Sequence, residues 1–290
     1  MTGWLIVNNF LNSDKFNEIY KYLLNAAKKY GIELELKKTG ECMFYAGEEK
    51  KLKELSDFVL FWDKDINLAR QLENMGAKVF NSSRAIEICD NKALCALCLS
   101  ENKIKIPKTY IAPKTFENIG YTDLSFLDAA AEELGFPFVI KEAFGSFGKQ
   151  VYLAHDLNEA NKIVLKIKNR DFIMQEFIKE SAGCDVRINI VGGRAVSAAK
   201  RQSLNGDFRS NVSNGGVMQK YEPSYEQTEL AKAACRAIGA SFAGVDILFG
   251  KNGPVVCEIN SNPHFKSTFD CTGLDMGEEI IKYIISKKEN

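Results

Sequence analysis

Apolar and polar positions alternate along the first part of the chain in a way that predicts short strands separated by helices. The run Phe58–Trp62 is wholly apolar, which is typical of a buried strand. Ser13 is a suitable N-cap for a helix over 13–30, and Gly31 is a suitable stop. The other predicted elements here are strands at 4–8, 32–36 and 77–80 and a helix at 67–75. This alternation favours an open parallel α/β sheet, and since no G-x-G-x-x-G string occurs in it, a dinucleotide site is not indicated.

The rest of the chain predicts two further α+β units. A helical stretch over 83–102 must end before Ile106-Pro107, because proline blocks continuation of a helix. Strands and helices then alternate to residue 178, and the last part begins with a hairpin about Gly192-Gly193. We therefore expect an N-terminal domain at 1–88, a central subdomain at 89–178 and a C-terminal subdomain at 179–290.

An acidic hairpin near the C-terminus is the most informative feature of the chain. Residues 242–249 and 255–260 are predicted strands joined by a turn. Asp246 and Glu258 are equally distant along the chain from Asn252, so a hairpin centred there places them opposite each other. Glu258 and Asn260 then share a face, whereas Cys257 and Ile259 point to the other. Two carboxylates and an amide oxygen on one face indicate a site for magnesium with phosphate; solvated carboxylates are the alternative.

A loop of small residues joins two other predicted strands. The strand at 138–141 ends in Lys141, and Gly145, Ser146 and Gly148 follow it before the strand at 151–153. Such a loop lets backbone N–H groups approach a polyphosphate, and Lys141 would add a positive charge. The G-x-x-x-x-G-K-[ST] string is absent, so a plain hairpin remains the alternative.

Polar residues at the end of the strand over 172–178 could present backbone groups to the edge of a base. Further along, Asp185, Arg187 and Asn189 share one face of a predicted strand, where Asp185 could accept from ribose hydroxyls or pair with Arg187. The cations of this region are Arg187, Lys200, Arg201 and Arg209. Their concentration indicates an anionic ligand, and a magnesium nucleotide accounts for both signs of charge.

Composition excludes several classes of protein. The 38 basic and 38 acidic residues among 290 cancel, which argues against a general binder of nucleic acid or anionic membranes. No apolar run approaches the ~18 residues of a membrane span, and the start of the chain lacks the pattern of a signal peptide, so we expect a cytoplasmic protein. The eight cysteines fit a reducing compartment; Cys95 and Cys98 form a lone C-x-x-C, for which a zinc or redox role is the alternative.

Five strings occur in an order and spacing that resemble the ATP-grasp carboxylate–amine ligases, most closely the RimK type, which includes ribosomal-protein glutamate ligases. They are Gln175-Glu176-Phe177-Ile178, Gly183-Cys184-Asp185-Val186-Arg187, Gly206-Asp207-Phe208-Arg209-Ser210-Asn211, Ala243-Gly244-Val245-Asp246-Ile247-Leu248 and Glu258-Ile259-Asn260. The resemblance begins at Asp90-Asn91-Lys92 and runs to the C-terminus. It implies the ATP-grasp fold, in which the two α+β subdomains clamp the nucleotide beside the N-terminal α/β domain.

The resemblance also implies roles for individual residues. The residues implied to bind ATP are Lys92 and Lys141 at the phosphates, Ser146 in the loop, Gln175, Glu176 and Phe177 at the adenine, Asp185 at the ribose, and Arg209, Ser210 and Asn211. The implied ligands of two magnesium ions, or of manganese, are Asp246, Glu258 and Asn260. Arg187 and Arg201 are implied to face an acyl phosphate, formed when ATP phosphorylates a carboxylate and consumed when an amine displaces phosphate.

The loop after Asn260 departs from the family pattern. RimK-type ligases tend to carry a Ser-Pro-Gly-like turn there, whereas this chain places His264 and Lys266 in the segment expected to border the acceptor pocket. Transfer of glutamate is therefore in doubt. An amino acid, a peptide and a protein tail all remain open as substrates, and so does assembly into a homo-oligomer. A D-alanine–D-alanine-ligase-like enzyme and a non-catalytic nucleotide-binding regulator are the alternative functions.

Overall fold

The computed structural model describes residues 1–47, 56–146, 148–210 and 215–288, and within them the chain forms three sheets. The first sheet is parallel, in the order β2-β1-β3-β4. Its strands are β1 (Thr2–Val7), β2 (Glu33–Lys38), β3 (Phe58–Trp62) and β4 (Val79–Phe80), with helices α1 (Asp14–Lys29) and α2 (Ile66–Asn74). The predicted open parallel α/β sheet is confirmed.

The helical stretch predicted over 83–102 is two helices, so the expectation of one continuous stretch is wrong. Helix α3 (Ser83–Asp90) and helix α4 (Lys92–Glu101) meet at Asn91, whose backbone is extended. The Asn91 side chain accepts from the backbone N–H groups of Ala93 and Leu94, at 2.9 and 3.2 Å. An asparagine that caps a new helix in this way changes the chain direction without a glycine or proline to signal it.

The second sheet is antiparallel, in the order β5-β8-β6-β7. Its strands are β5 (Thr109–Ile111), β6 (Phe138–Glu142), β7 (Val151–Ala154) and β8 (Phe172–Glu176), covered by α5 (Phe126–Leu134) and α6 (Leu157–Ile167). Apolar side chains of both helices and of β6 and β8 form its core. The opposite face of this sheet, with Val139, Lys141 and Gln175, lines the cavity described below.

The third sheet is also antiparallel, in the order β11-β10-β9-β12-β13. Its strands are β9 (Cys184–Val191), β10 (Arg194–Gln202), β11 (Val217–Lys220), β12 (Phe242–Gly250) and β13 (Gly253–Asn260). Helix α7 (Tyr225–Ile238) starts with a capping box between Ser224 and Gln227 and packs on one face. Helices α8 (Lys266–Thr272) and α9 (Met276–Ser286) complete the described chain, where no helix is long and apolar enough to cross a bilayer.

The last helix connects the C-terminal part of the chain to the first sheet. Helix α9 buries Ile280, Ile281 and Ile284 in one core with residues of α1. Phe242 of β12 and Phe265, which precedes α8, belong to the same core. The aromatic ring of Trp62 stacks on Phe242 with centroids 5.6 Å apart. The first and third sheets therefore share a continuous apolar core.

Asn81 holds the same two sheets together through polar contacts. It is fully buried, and its Nδ2 donates to the carbonyl oxygens of Phe242 and Ser261, each at 2.9 Å. Its Oδ1 accepts from the N–H groups of Ser241 and Phe242, at 2.7 and 3.2 Å. One side chain thus satisfies four backbone groups at the start of β12 and just beyond β13.

Replacing Asn81 with alanine should lower the free energy of unfolding by at least about 2 kcal/mol, because buried backbone groups would lose their partners. Urea unfolding followed by circular dichroism measures this. Asn17→Ala, which removes an exposed asparagine from α1, should change it by less than about 0.5 kcal/mol. Equal stabilities of the two variants would contradict this role for Asn81.

Candidate active site

A cavity of about 760 Å³ opens where the three sheets meet. Nearly all the residues singled out from the sequence line it. They are Lys92, Lys141, Ser146, Gln175, Glu176, Phe177, Asp185, Arg187, Arg201, Arg209, Ser210, Asp246, Glu258, Asn260 and His264. Residues that are far apart in the sequence are therefore brought to one concave surface, as expected of a ligand site.

One predicted site residue, Lys266, does not join this set, and another, Asn211, is not among the described residues. Lys266 is the first residue of α8, does not line the cavity, and pairs through its Nζ with the carboxylate of Asp270 at 2.8 Å. The structure thus gives Lys266 a helical ion-pair partner instead of a place beside a substrate.

The acidic hairpin contains a β-bulge that the sequence did not reveal. Its turn has two residues, since Gly250 pairs with Gly253, and a regular ladder from that turn would place Asp246 opposite Cys257. The register shifts between Asp246 and Ile247, so that Asp246 faces Glu258 as predicted. The predicted pair is confirmed, but one extra residue in β13 produces it, not a hairpin centred on Asn252.

The bulge also changes which side chains face the cavity. Cys257 lines it together with Glu258 and Asn260, while Val256 and Ile259 are buried in the core below. The prediction that Cys257 points away from Glu258 is therefore wrong, because the bulge interrupts the strict alternation of faces. Lys141 Nζ lies 3.5 Å from the Cys257 Sγ, and burial raises the pKa of that thiol.

A chain of buried charges crosses the floor of the cavity on three adjacent strands. Arg187 forms two hydrogen bonds to Asp246, both of 2.7 Å, and Arg201 lies 2.9 Å from the same carboxylate. Arg201 also donates from Nε to Asp185 at 2.7 Å. Burial alone would raise the pKa of Asp246. The guanidinium groups of Arg187 and Arg201 outweigh burial and hold that pKa below its usual value. Asp185 thus pairs with Arg201, and not with Arg187.

Glu258 and Asn260 offer oxygen atoms that the described residues leave available. No hydrogen bond or ion pair among those residues involves the Glu258 carboxylate. Asn260 is half-buried, and its amide nitrogen is buried without a hydrogen-bond partner among the described residues. No group of three or more His, Cys, Asp or Glu side chains in the described chain is arranged to hold a metal. The oxygen set here consists of Asp246, Glu258 and the Asn260 amide, all of which line the cavity. Two carboxylates and an amide oxygen fit magnesium chemically.

Cations surround the loop of small residues at the opposite wall. Lys141 is 8 % exposed and donates to Gln175 Oε1 at 2.6 Å. Lys92 Nζ lies 3.3 Å from the carbonyl oxygen of Gly145, and an Arg209 nitrogen lies 2.7 Å from that of Gly148. These three cations line the cavity beside Gly145, Ser146 and Gly148, whose small side chains let backbone N–H groups approach a polyphosphate.

An apolar slot adjoins this cationic wall. It is lined by Phe177 and Phe208, whose rings meet edge to face at 6.2 Å, and by Ile178 and Leu248. The slot lies at the end of β8, where the sequence indicated recognition of a base. Its flat, apolar walls suit an aromatic heterocycle.

Sequence reasoning missed the part of the cavity that the first sheet provides. Asn8, Tyr20, Asp63 and Asn262 line it there. A signal existed, because Asn8 ends one predicted parallel strand and Asp63 directly follows another, and ligands bind at the carboxyl ends of such strands. His264 lies nearby; its Nε2 is 3.0 Å from the Lys15 carbonyl oxygen, and burial lowers its pKa.

The cysteines supply no further site. All eight are free thiols, and burial raises the pKa of Cys95 to about 12. A thiol that keeps its proton is a poor nucleophile, which speaks against a redox role for Cys95.

Comparison with known proteins agrees with this geometry. A family model described as RimK-like ATP-grasp domain matches residues 89–284. A Trichodesmium erythraeum protein named Probable alpha-L-glutamate ligase is 36 % identical over 219 residues, which are 75 % of this chain and 71 % of that protein. Human N-acetylaspartylglutamate synthase A is 34 % identical over 230 residues, 79 % of this chain and 57 % of that protein.

Solved structures share the fold at lower identity. A RimK domain ATP-grasp protein from Sphaerobacter thermophilus superimposes with a TM-score of 0.72 at 19 % identity, covering 98 % of this chain and 99 % of its own. D-alanine–D-alanine ligase from Bacillus anthracis gives 0.72 at 17 % identity and covers all of both chains. Since the family model spans more than half of the chain and the curated relatives are identical at over a third of the aligned positions, the chain belongs to the RimK-like ATP-grasp family and is an ATP-dependent carboxylate–amine ligase.

Proposed function

We propose that the cavity binds magnesium–ATP and joins the carboxylate of one small amino-acid or peptide substrate to the amine of another through an acyl phosphate. The observation that carries this proposal is the meeting, in one cavity, of the oxygen set of Glu258, Asn260 and Asp246 with the cations Lys92 and Lys141. Negative phosphates need both, because cations offset their charge and oxygen ligands hold the accompanying metal.

The cavity offers surfaces that suit the adenine and the phosphates of ATP. The apolar slot beside Phe177 and Phe208 takes the adenine, and Lys92, Lys141 and the loop at Ser146 take the phosphates. Both carboxylate oxygens of Asp185 already accept from Arg201. We therefore assign Asp185 to positioning Arg201, in place of the ribose contact that the family resemblance implied.

Glu258, Asn260 and Asp246 would hold magnesium, in one or two ions. Bound there, magnesium would neutralise charge on the phosphate oxygens. Glu258 is the principal ligand in this proposal because, of Asp246 and Glu258, only Glu258 has no ion-pair partner in the described structure. Asp246 is shared with two arginines and contributes less charge to the metal.

The residues of the chain act by position and charge. A carboxylate oxygen of the first substrate attacks the terminal phosphorus of ATP, ADP leaves, and an acyl phosphate remains. The amine of the second substrate then attacks the acyl carbon, phosphate leaves with the bonding electron pair, and the nitrogen loses a proton. Arg187 and Arg201, held at the floor by Asp246 and Asp185, offset the negative charge that develops. No nucleophilic side chain is needed.

Glu258→Ala should lower kcat by roughly a hundredfold or more, because the account makes Glu258 the main metal ligand. ADP release with an acid–amine mixture that supports turnover by the parent measures this. Glu258→Gln keeps one oxygen without the charge and should lose less, and Glu222→Ala, at an exposed site, should match the parent. Turnover by Glu258→Ala within tenfold of the parent would sink the metal assignment.

Lys141→Met should raise the dissociation constant for the ATP analogue AMPPNP roughly tenfold or more, since a charge-assisted contact is lost while the aliphatic stem is kept. Calorimetric titration in magnesium measures the change. Lys162→Met, which removes an exposed lysine from α6, serves as the matched control. If both variants bind AMPPNP like the parent, Lys141 only supports Gln175.

A further inference from the structure

The corner of the cavity formed by the first sheet has its own chemistry. The residues that the first sheet contributes to it lie before residue 89, where the family match begins. Strands β1 and β3 are neighbours, but the chain leaves β1 towards β2 on one side and returns to β3 on the other. The crevice outside the carboxyl ends of two such strands is where open α/β sheets bind ligands. Asn8 and Asp63 occupy that position and line the cavity.

Asp63 is a buried carboxylate whose described partners are all neutral. It is 7 % exposed, its Oδ1 accepts from the Asp65 N–H at 2.9 Å, and the Asn8 side chain donates to it. None of the ion pairs within the described residues includes it. Burial raises its pKa, and burial together with the Asp63 charge raises that of Tyr20. A buried carboxylate without a cation is costly, and costly groups that face a cavity are commonly functional.

Asn262 adds a second acceptor to this corner. Its Nδ2 donates to the backbone carbonyl oxygen of Asp63 at 2.8 Å, which leaves Oδ1 as the free end of the amide. That oxygen is buried and has no hydrogen-bond partner among the described residues. Asn262 lies just beyond Asn260, so the corner borders the oxygen set assigned to the metal. An unpaired buried acceptor of this kind favours a ligand that donates hydrogen bonds.

A carboxylate, an amide oxygen and the phenol oxygen of Tyr20 together form a set of acceptors on a concave wall. A primary ammonium carries three donors and one positive charge, and so complements this set in both number and sign. We propose that Asp63, Asn262 and Tyr20 bind the ammonium group of an amino-acid substrate. This inference rests on the proposed ligase function and adds to it the residues that bind the free ammonium group of one substrate.

The test compares free amino acids with their N-acetylated forms, which keep the side chain and carboxylate but lack the ammonium. Thermal unfolding of the full chain, saturated with Mg·AMPPNP, is followed with each of the common L-amino acids and its acetylated counterpart. At least one amino acid should raise Tm while its acetylated form does not. The dissociation constant of that amino acid, measured by calorimetry, should rise roughly tenfold or more in Asp63→Asn and less in Tyr20→Phe.

Glu33→Gln, at an exposed carboxylate on β2 away from the cavity, should behave like the parent. Asp63→Asn should keep the Tm increase caused by Mg·AMPPNP, which shows that its nucleotide site is folded. The inference is overturned if no amino acid in the panel raises the parent's Tm, if acetylated and free forms act alike, or if Asp63→Asn binds with parental affinity. Absence of the nucleotide effect in the parent would instead contradict the proposed function.

Discussion

The buried ion pairs that join Asp185, Arg201, Asp246 and Arg187 are the constraint on which the rest of the site depends. Four charges lie on three neighbouring strands with almost no exposure to water, and each is stable there only because its neighbour carries the opposite sign. Removing one partner from such a set typically costs about 3–5 kcal/mol. The arginines are thus held at the floor of the cavity before any substrate arrives, so little reorganisation is needed when phosphate charge develops.

The β-bulge at Cys257 decides what stands beside this network. Without the extra residue, Asp246 would face a thiol, and Glu258 would not lie opposite it. With it, one strand directs Cys257, Glu258 and Asn260 towards the cavity while Val256 and Ile259 remain in the core. A ligase that works by charge and position has two parts on this sheet: arginines held by Asp185 and Asp246, and the Glu258 carboxylate, which has no ion-pair partner in the described structure.

Much of this could be predicted from local sequence. Apolar runs such as Phe58–Trp62 located the strands, and the order of short strings located nearly every residue of the cationic wall and acidic hairpin. Features that depend on more than one segment were missed. The bulge depends on turn length and packing, so the sequence predicts the wrong face for Cys257. The break between two helices at Asn91 depends on a side-chain cap. The pairing of Asp185 with Arg201 depends on the register of two strands. Asp63 could have been found from the rule for parallel strands.

The central claim is that carboxylates beside the bulge hold a metal together with the phosphates of a nucleotide. Calorimetric titration of the unmodified chain with AMPPNP, in magnesium and in its absence with a chelator, tests this most directly. The account predicts that magnesium tightens binding roughly tenfold or more, because Glu258, Asn260 and the phosphates share the ion. Equal affinity in both conditions would show that the lysine and arginine side chains alone bind the nucleotide, and would contradict the account.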